Sequence, residues 1–537
     1  MTFELLNCAA AVSVLDWSIV LIFLGLAFAF GAASGRGISS AKELFLGRQQ
    51  TPWWAIGLSI LASYVSALSF LGAPAWAYEV GLQSIMIHLN YPIVVLIVVS
   101  LFLPFFFASG TASIYAYLER RFGKTSRKVM AMIFLITQCL SSAALLASTA
   151  WVVSFITGFP LMACLLAVAL FAVIYTLIGG ITAVIWTDVL QSLVLTAGAL
   201  LVLWGLFDQF RGDTLGVLSD LKAEGRTRAV NWAVDFTQAT TVWAGVLAMT
   251  LYHTTVYGAN QMIAQRALAA RSIGDAKKAF LLAGYGAVLI YLVFASIGLL
   301  LYAWDGDTAI DNRNLLILVF ARTLEIPGLM GLLAAAIIAA SLSSIDSALN
   351  SLTTITTVDF LPEPDTASTD SGLGRARLLT IGWGGITLLP AMALASETGS
   401  ILEWVARLGS FFVGAKLAMF GLGFFSKSVR EPELLIGVGT GFVAVALTAG
   451  FTSIAWPWYV AVGAGVNVAT AVLISRLLRA PATSWPPWTV SAVRAQSRRP
   501  ERSWSPRPGD IEPATWGLLV LFVLIFSGLL AFEAGIP

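Results

Sequence analysis

Apolar residues along this chain fall in repeated runs of roughly 18 to 28 positions, separated by short polar stretches. A helix needs about 20 residues to cross the hydrocarbon of a bilayer, so each run predicts a membrane-spanning helix. The runs lie at roughly 17 to 35, 53 to 78, 82 to 108, 128 to 157, 160 to 178, 184 to 207, 240 to 263, 277 to 303, 327 to 357, 377 to 395, 401 to 424, 433 to 450, 455 to 477 and 514 to 533. They are numbered here as segments 0 to 13, an all-α membrane protein of about 14 transmembrane helices.

Composition agrees with the pattern. Hydrophobic residues make up 58% and charged residues only 11% of 537 positions, with a mean hydropathy of +0.86, too apolar for a soluble domain. Segment 0 follows a start without Lys or Arg, unlike the basic opening of a cleaved signal, and is expected to be a permanent helix. Cys8, Cys139 and Cys164 are too few and too scattered for a disulfide framework or a metal cluster. The net charge of +2 is spread over short loops, which gives no case for nucleic acid. No obligate protein partner is evident, and the bilayer is the expected surroundings.

If the N-terminus faces out, the inward loops hold 23 of the 31 Lys and Arg residues, among them Arg120, Arg121, Arg127, Arg266, Arg271 and the basic linker from Arg476 to Arg507. The positive-inside rule therefore predicts both termini outside. The stretch from Pro481 to Pro513, rich in Pro, Ser, Trp and Arg, reads as an irregular cytoplasmic segment on the membrane surface.

Two segments are poor lipid-facing helices. Segment 1 carries hydroxyls at Ser63, Ser66 and Ser69 before Gly72 and Pro74, and segment 6 reads Tyr252-His253-Thr-Thr-Val-Tyr-Gly258-Ala-Asn260-Gln261. They open two five-helix halves, segments 1 to 5 and 6 to 10, where inverted-repeat transporters place discontinuous helices around a midplane binding site. Kinked packing helices are the plainer alternative. The expected division is 1–51 N-terminus and peripheral helix, 52–210 first repeat, 211–239 outer loop, 240–426 second repeat, 427–478 peripheral helices, 479–513 linker and 514–537 terminal helix.

Segment 8 lines one face with small or oxygen-bearing residues: Ala336, Ala340, Ser343, Ser347 and Asn350. Hydroxyls and carbonyls freed at a helix break suit a hard cation such as Na⁺, although small residues also serve close packing. Asp346 and Asp188 are carboxylates inside apolar runs, and an intramembrane acid is a functional candidate by default. Asp188 lies eight residues beyond Gly180, about 12 Å along its helix, a depth that suits an ion exit path or a structural hydrogen bond. The chain's two histidines, His88 and His253, and Lys416 are likewise intramembrane. Lys416 is expected to pair with Asp346 or Glu403, or with an anionic solute.

These segments resemble the sodium:solute symporter family over essentially the whole chain, through Ala62 to Tyr78, Thr111 to Gly123 (TASIYAYLERRFG), Gly179 to Gln191, Asn260 to Arg266 and Ala340 to Ser351 (ASLSSIDSALNS). The resemblance implies a LeuT-like 5+5 inverted-repeat core with extra peripheral helices. It implies a sodium site built from the carbonyls of Ala62, Val65 and Ala340 with the hydroxyls of Ser343 and Ser344. A second cation site of some members maps to Asp188, Ser343, Asp346 and Ser347, with Asp346 where those members use serine. Ser66, Ser69, His88, Ser141 and Asn260 map to solute-contacting positions. Ser141 stands where the sialic-acid transporters place an arginine, which disfavours that solute.

The expected function is a sodium-coupled symporter, not an enzyme, importing a small polar solute of the sugar, monocarboxylate, amino acid or vitamin class by alternating access. Na⁺ is the coupling ion and no organic cofactor is expected. The expected location is a plasma membrane, a bacterial inner membrane by resemblance. A proton-coupled symporter using Asp346, Asp188 or His88 is the alternative, with a membrane sensor module a distant second.

Overall fold

The computed structural model describes residues 13–34, 50–65, 67–109, 113–305, 313–361, 369–395, 401–478, 486–496 and 513–536. Its main helices are α1 (Val14–Ser34), α2 (Trp53–Tyr64), α3 (Ala67–Val80), α4 (Lys124–Thr157), α5 (Leu161–Gln209), α6 (Met249–Gly258), α7 (Gln261–Leu268), α8 (Ile273–Asp305), α9 (Leu329–Ile355), α10 (Thr369–Ala395), α11 (Ile401–Phe425), α12 (Glu431–Phe451), α13 (Tyr459–Leu478) and α14 (Pro513–Gly535). Among the described residues, ten helical stretches are long and apolar enough to cross a membrane, and three shorter ones, Val14–Leu26, Trp53–Ser63 and Leu161–Ile174, are apolar. The chain is a multi-pass, all-helical membrane protein.

Burial separates centre from periphery. In the spanning stretch that contains α9, 81% of the apolar window is buried, against 17% in α14. The exposed apolar side chains Leu389 and Leu524 sit on the outer helices α10 and α14, where lipid rather than water is the solvent. At the centre, α9 packs on α4 and α5, and α8 packs on α2 and α3.

Three expectations change. Segments 4 and 5 form one continuous helix, because helical geometry carries through the Gly179-Gly180 pair. At about 1.5 Å per residue its 49 residues have length enough for two crossings. Segment 2 is interrupted: a 3₁₀ stretch at Gly81–Ile87 precedes the α-helix Tyr91–Ile97, and a π-type stretch follows it at Val98–Phe102. The described part of the basic linker, 486–496, is held by protein: Tyr117 Oη donates to the Trp488 carbonyl at 3.0 Å, and the Arg120 guanidinium lies 5.0 Å from the Trp488 ring. A short helix, Val490–Gln496, follows.

Candidate functional site

Segment 1 is broken between α2 and α3. Val65, at φ −96° and ψ 71°, is not helical, and its N–H closes back on the Leu61 carbonyl at 2.9 Å. A helix end leaves its last four carbonyls without intrahelical donors, so this end offers oxygen ligands inside the bundle. Ala62 and Val65 lie here, buried. Ser66 lies outside the described residues.

Segment 6 breaks at Asn260. Its extended backbone, φ −107° and ψ 123°, separates α6 from α7, and its side-chain oxygen accepts from the Met262 N–H at 2.9 Å. An Asn at this position satisfies an otherwise orphaned donor of the following helix, so the amide oxygen of this solute candidate is occupied by capping.

On α9, Ala340, Ser344, Asp346, Ser347 and Asn350 are all buried, and the side chain of Ser343 lies outside the described ones. Ser344 Oγ, Asp346 Oδ2 and Asn350 Nδ2 are buried without a protein partner. Thr176 is the hydrogen-bonding neighbour of Asp346. Buried polar atoms are nearly always paired in proteins, so several orphans on one helix mark a place built for something more than packing.

Arg266 occupies a different place from the one its charge suggested. It was expected in an inner loop, yet it is wholly buried and joins four helices. Its Nη2 donates to Asp188 Oδ2 at 3.0 Å on α5 and to Ser347 Oγ at 2.6 Å on α9; its Nε donates to Ser59 Oγ at 2.8 Å on α2. Its Nη1 is satisfied by the Met262 carbonyl of its own helix, α7, at 3.0 Å. Ser59 Oγ in turn donates to Asp188 Oδ2. A lone intramembrane carboxylate demands a counter-charge, and Asp188 alone was the signal that such a partner existed.

The histidines come together. His88 Nδ1 is 3.0 Å from Tyr91 Oη, and the His88 ring stacks on Tyr291 with centroids 3.5 Å apart. Tyr291 Oη is 2.9 Å from Ser69 Oγ and hydrogen-bonds Tyr91. His253 Nδ1 pairs with Asn90 Oδ1 at 2.9 Å, and its ring lies 4.7 Å from that of Tyr91. The structure thus gathers Ser69, His88 and His253 around two tyrosines that sequence reasoning missed. Neither tyrosine stands out in an apolar run, because only the docking of α8 against segments 1 and 2 brings Tyr291 to His88 and Ser69. His88 Nε2 is buried without a partner.

Lys416 and Ser141 stand on α11 and α4. Lys416 Nζ donates to Thr137 Oγ1 at 3.0 Å, one helical turn from the half-buried Ser141. The expected ion pair with Asp346 does not form: the charged neighbours of Asp346 are Arg266 and Asp188. The side chain of Glu403 lies outside the described ones.

Two broken helices facing a central hydroxyl-bearing helix define a class, the ion-coupled carriers of small solutes. The match is specific: the family model of the "Sodium:solute symporter family" covers residues 44–441, and the chain belongs to that family. It is 28% identical over 429 residues to the sodium-coupled monocarboxylate transporter 2 of Bos taurus, which covers 77% of this chain and 68% of that protein. It is equally 28% identical to the human sodium/iodide cotransporter, over 79% of this chain and 67% of that protein. In fold it is similar to a Na⁺-coupled sialic acid symporter in a substrate-bound outward-open state, with a TM-score of 0.80 and 24% identity over 88% of this chain and 99% of that one. The nucleobase-cation-symport-1 family transporter Mhp1 in a closed conformation follows, with a TM-score of 0.55 and 14% identity over 80% of this chain and 94% of that one. The chain is a transporter, a sodium-coupled symporter of a small solute, and not an enzyme.

Proposed function

We propose that this protein imports a small polar organic solute by alternating access, drawing on the inward movement of Na⁺. The observation that carries the reading is the broken end of α2, with its unpaired carbonyl capacity, packed against α9, where Ser344 Oγ is buried without a partner. Na⁺ binds the carbonyls of Ala62, Val65 and Ala340 and the hydroxyls of Ser343 and Ser344. It ties α2 to α9 and favours the state that binds solute, a coupling that rests on differential binding. Each positive charge moved inward across 100 mV contributes about 2.3 kcal/mol, roughly fiftyfold in solute concentration.

Asp188, Asp346 and Ser347 then line the ion exit path, with Arg266 fixing Asp188. The solute lies against Ser69, His88 and His253, reached also by Ser66, Ser141, Asn260 and Lys416. Fourteen crossings form two five-helix repeats, 52–210 and 240–426, with peripheral helices at either end and both termini outside, in a bacterial inner membrane. Relatives that carry monocarboxylates and iodide support a solute of small size.

Uptake into proteoliposomes tests this. A panel of sugars, amino acids, monocarboxylates and vitamins is offered under an inward Na⁺ gradient, with choline in place of Na⁺, and under a proton gradient alone. Accumulation above equilibrium that requires Na⁺ supports the reading. Accumulation driven by protons without Na⁺ moves coupling to Asp346, Asp188 or His88, and uptake that never exceeds equilibrium removes coupling altogether.

A further inference from the structure

Lys416 is a lysine buried on the interior of the bundle. Gly409, Lys416 and Gly423 are seven residues apart on α11 and share one face, because seven residues complete nearly two helical turns. A Cβ on Gly409 would meet Tyr252 Oη at 2.8 Å, and one on Gly423 would meet Tyr117 Oη at 3.0 Å, so this face is turned towards protein and not lipid. Lys416 is 6% exposed, which rules out snorkelling to a membrane surface.

Its surroundings satisfy little of it. An ammonium has three N–H donors, and Thr137 Oγ1 accepts one; the Thr137 proton goes to the Ile133 carbonyl at 2.9 Å, which leaves that oxygen's lone pair for Lys416. The Phe134 ring, 5.9 Å away, adds only a weak attraction. Among the described residues no carboxylate pairs with Lys416; the buried carboxylate Asp188 is taken by Arg266, and Asp359 by Arg127. A buried ammonium stays charged only with an opposite charge in contact.

Resting on the symport reading above, we infer that the missing counter-charge is the solute: Lys416, with Thr137 in contact and Ser141 one turn further along α4, forms a subsite for the negative end of a small monoanion. The shared chemistry covers an organic carboxylate, which keeps the organic solute proposed above, or an inorganic anion, which would replace it. One positive charge fixed in the protein then selects anions over neutral solutes of the same size.

The test is Na⁺-driven uptake into proteoliposomes of labelled propionate, labelled iodide and labelled propionamide, with wild-type protein, Lys416→Arg and Lys416→Met. Wild type is expected to accumulate propionate or iodide, whichever source is right, and not propionamide. Lys416→Met should raise the KM for the anion by at least about tenfold while leaving the Na⁺ activation constant unchanged, and Lys416→Arg should stay within about threefold. Accumulation of propionamide as well as either anion, failure to accumulate both anions, or an unchanged anion KM in Lys416→Met overturns the assignment. If Lys416→Met does not fold, thermal stabilisation of wild type by propionate in NaCl, absent with propionamide, decides in its place. Anion uptake that ignores Na⁺ instead sinks the sodium reading and leaves Lys416 standing.

Discussion

Arg266 Nη2 and Asp188 Oδ2 meet at 3.0 Å with both side chains fully buried, and this one ion pair connects the second half of the broken segment 6 to α5. Breaking a buried pair by removing one member strands the other charge, which costs about 3–5 kcal/mol. Arg266→Met is therefore expected to lower thermal stability in detergent markedly. The double variant Arg266→Met with Asp188→Leu should recover most of the loss, and a double variant as unstable as the single one would mean that the pair is not the source.

Ser344→Ala removes a hydroxyl that has no protein partner. Protein stability without Na⁺ should change by less than about 1 kcal/mol, since no protein hydrogen bond is lost. The Na⁺ activation constant of solute uptake should rise about tenfold, equivalent to about 1.4 kcal/mol of cation binding. Sodium titration of initial uptake rates checks both halves, and an unchanged constant removes Ser344 from the cation site.

Tyr291→Phe deletes the hydroxyl shared between Ser69 and Tyr91 while keeping the ring stacked on His88. Unpairing buried polar partners costs about 1–3 kcal/mol. If this cluster faces the solute, the loss appears as a raised solute KM with sodium dependence preserved. If it is only structural, it appears as a lowered melting temperature at constant KM.

Gly298→Ala tests the contact that holds the second half of segment 1. A Cβ at Gly298 would stand 2.3 Å from the Pro74 carbonyl oxygen and 2.5 Å from Ala77 Cβ, both on α3. Overpacking of this kind costs about 1–3 kcal/mol. The expected result is a lower melting temperature; a transport rate that rises with it would show that loosening α3 from α8 speeds the conformational cycle.

Much of this architecture is set locally and is therefore legible in the chain. A run of about 20 apolar residues has no other stable state in lipid, so the existence of the helices follows from composition and spacing. The break at Asn260 falls beside the Gly258 and Asn260 that make segment 6 a poor apolar helix. In segment 1, by contrast, Gly72 and Pro74 lie inside α3 and the break comes earlier, at Val65 among the hydroxyls. The burial of Ser344 and Asp346 followed from their place within a long apolar run. Partnerships were another matter. Hydropathy counts Arg266 as a loop charge because it stands near the end of a run, and only the packing of α2, α5, α7 and α9 shows that Asp188 waits inside the bundle. Lys416 carried the opposite ambiguity: its sequence allowed an ion pair with Asp346, and the fold places α5 and Arg266 around that carboxylate and Thr137 before the lysine. Tyr91 and Tyr291 are 200 positions apart, and no periodic pattern joins them. Sequence fixes which segments are helical because each satisfies its own backbone, whereas the pairing of side chains depends on which faces of separate helices meet, a choice made only when the bundle closes.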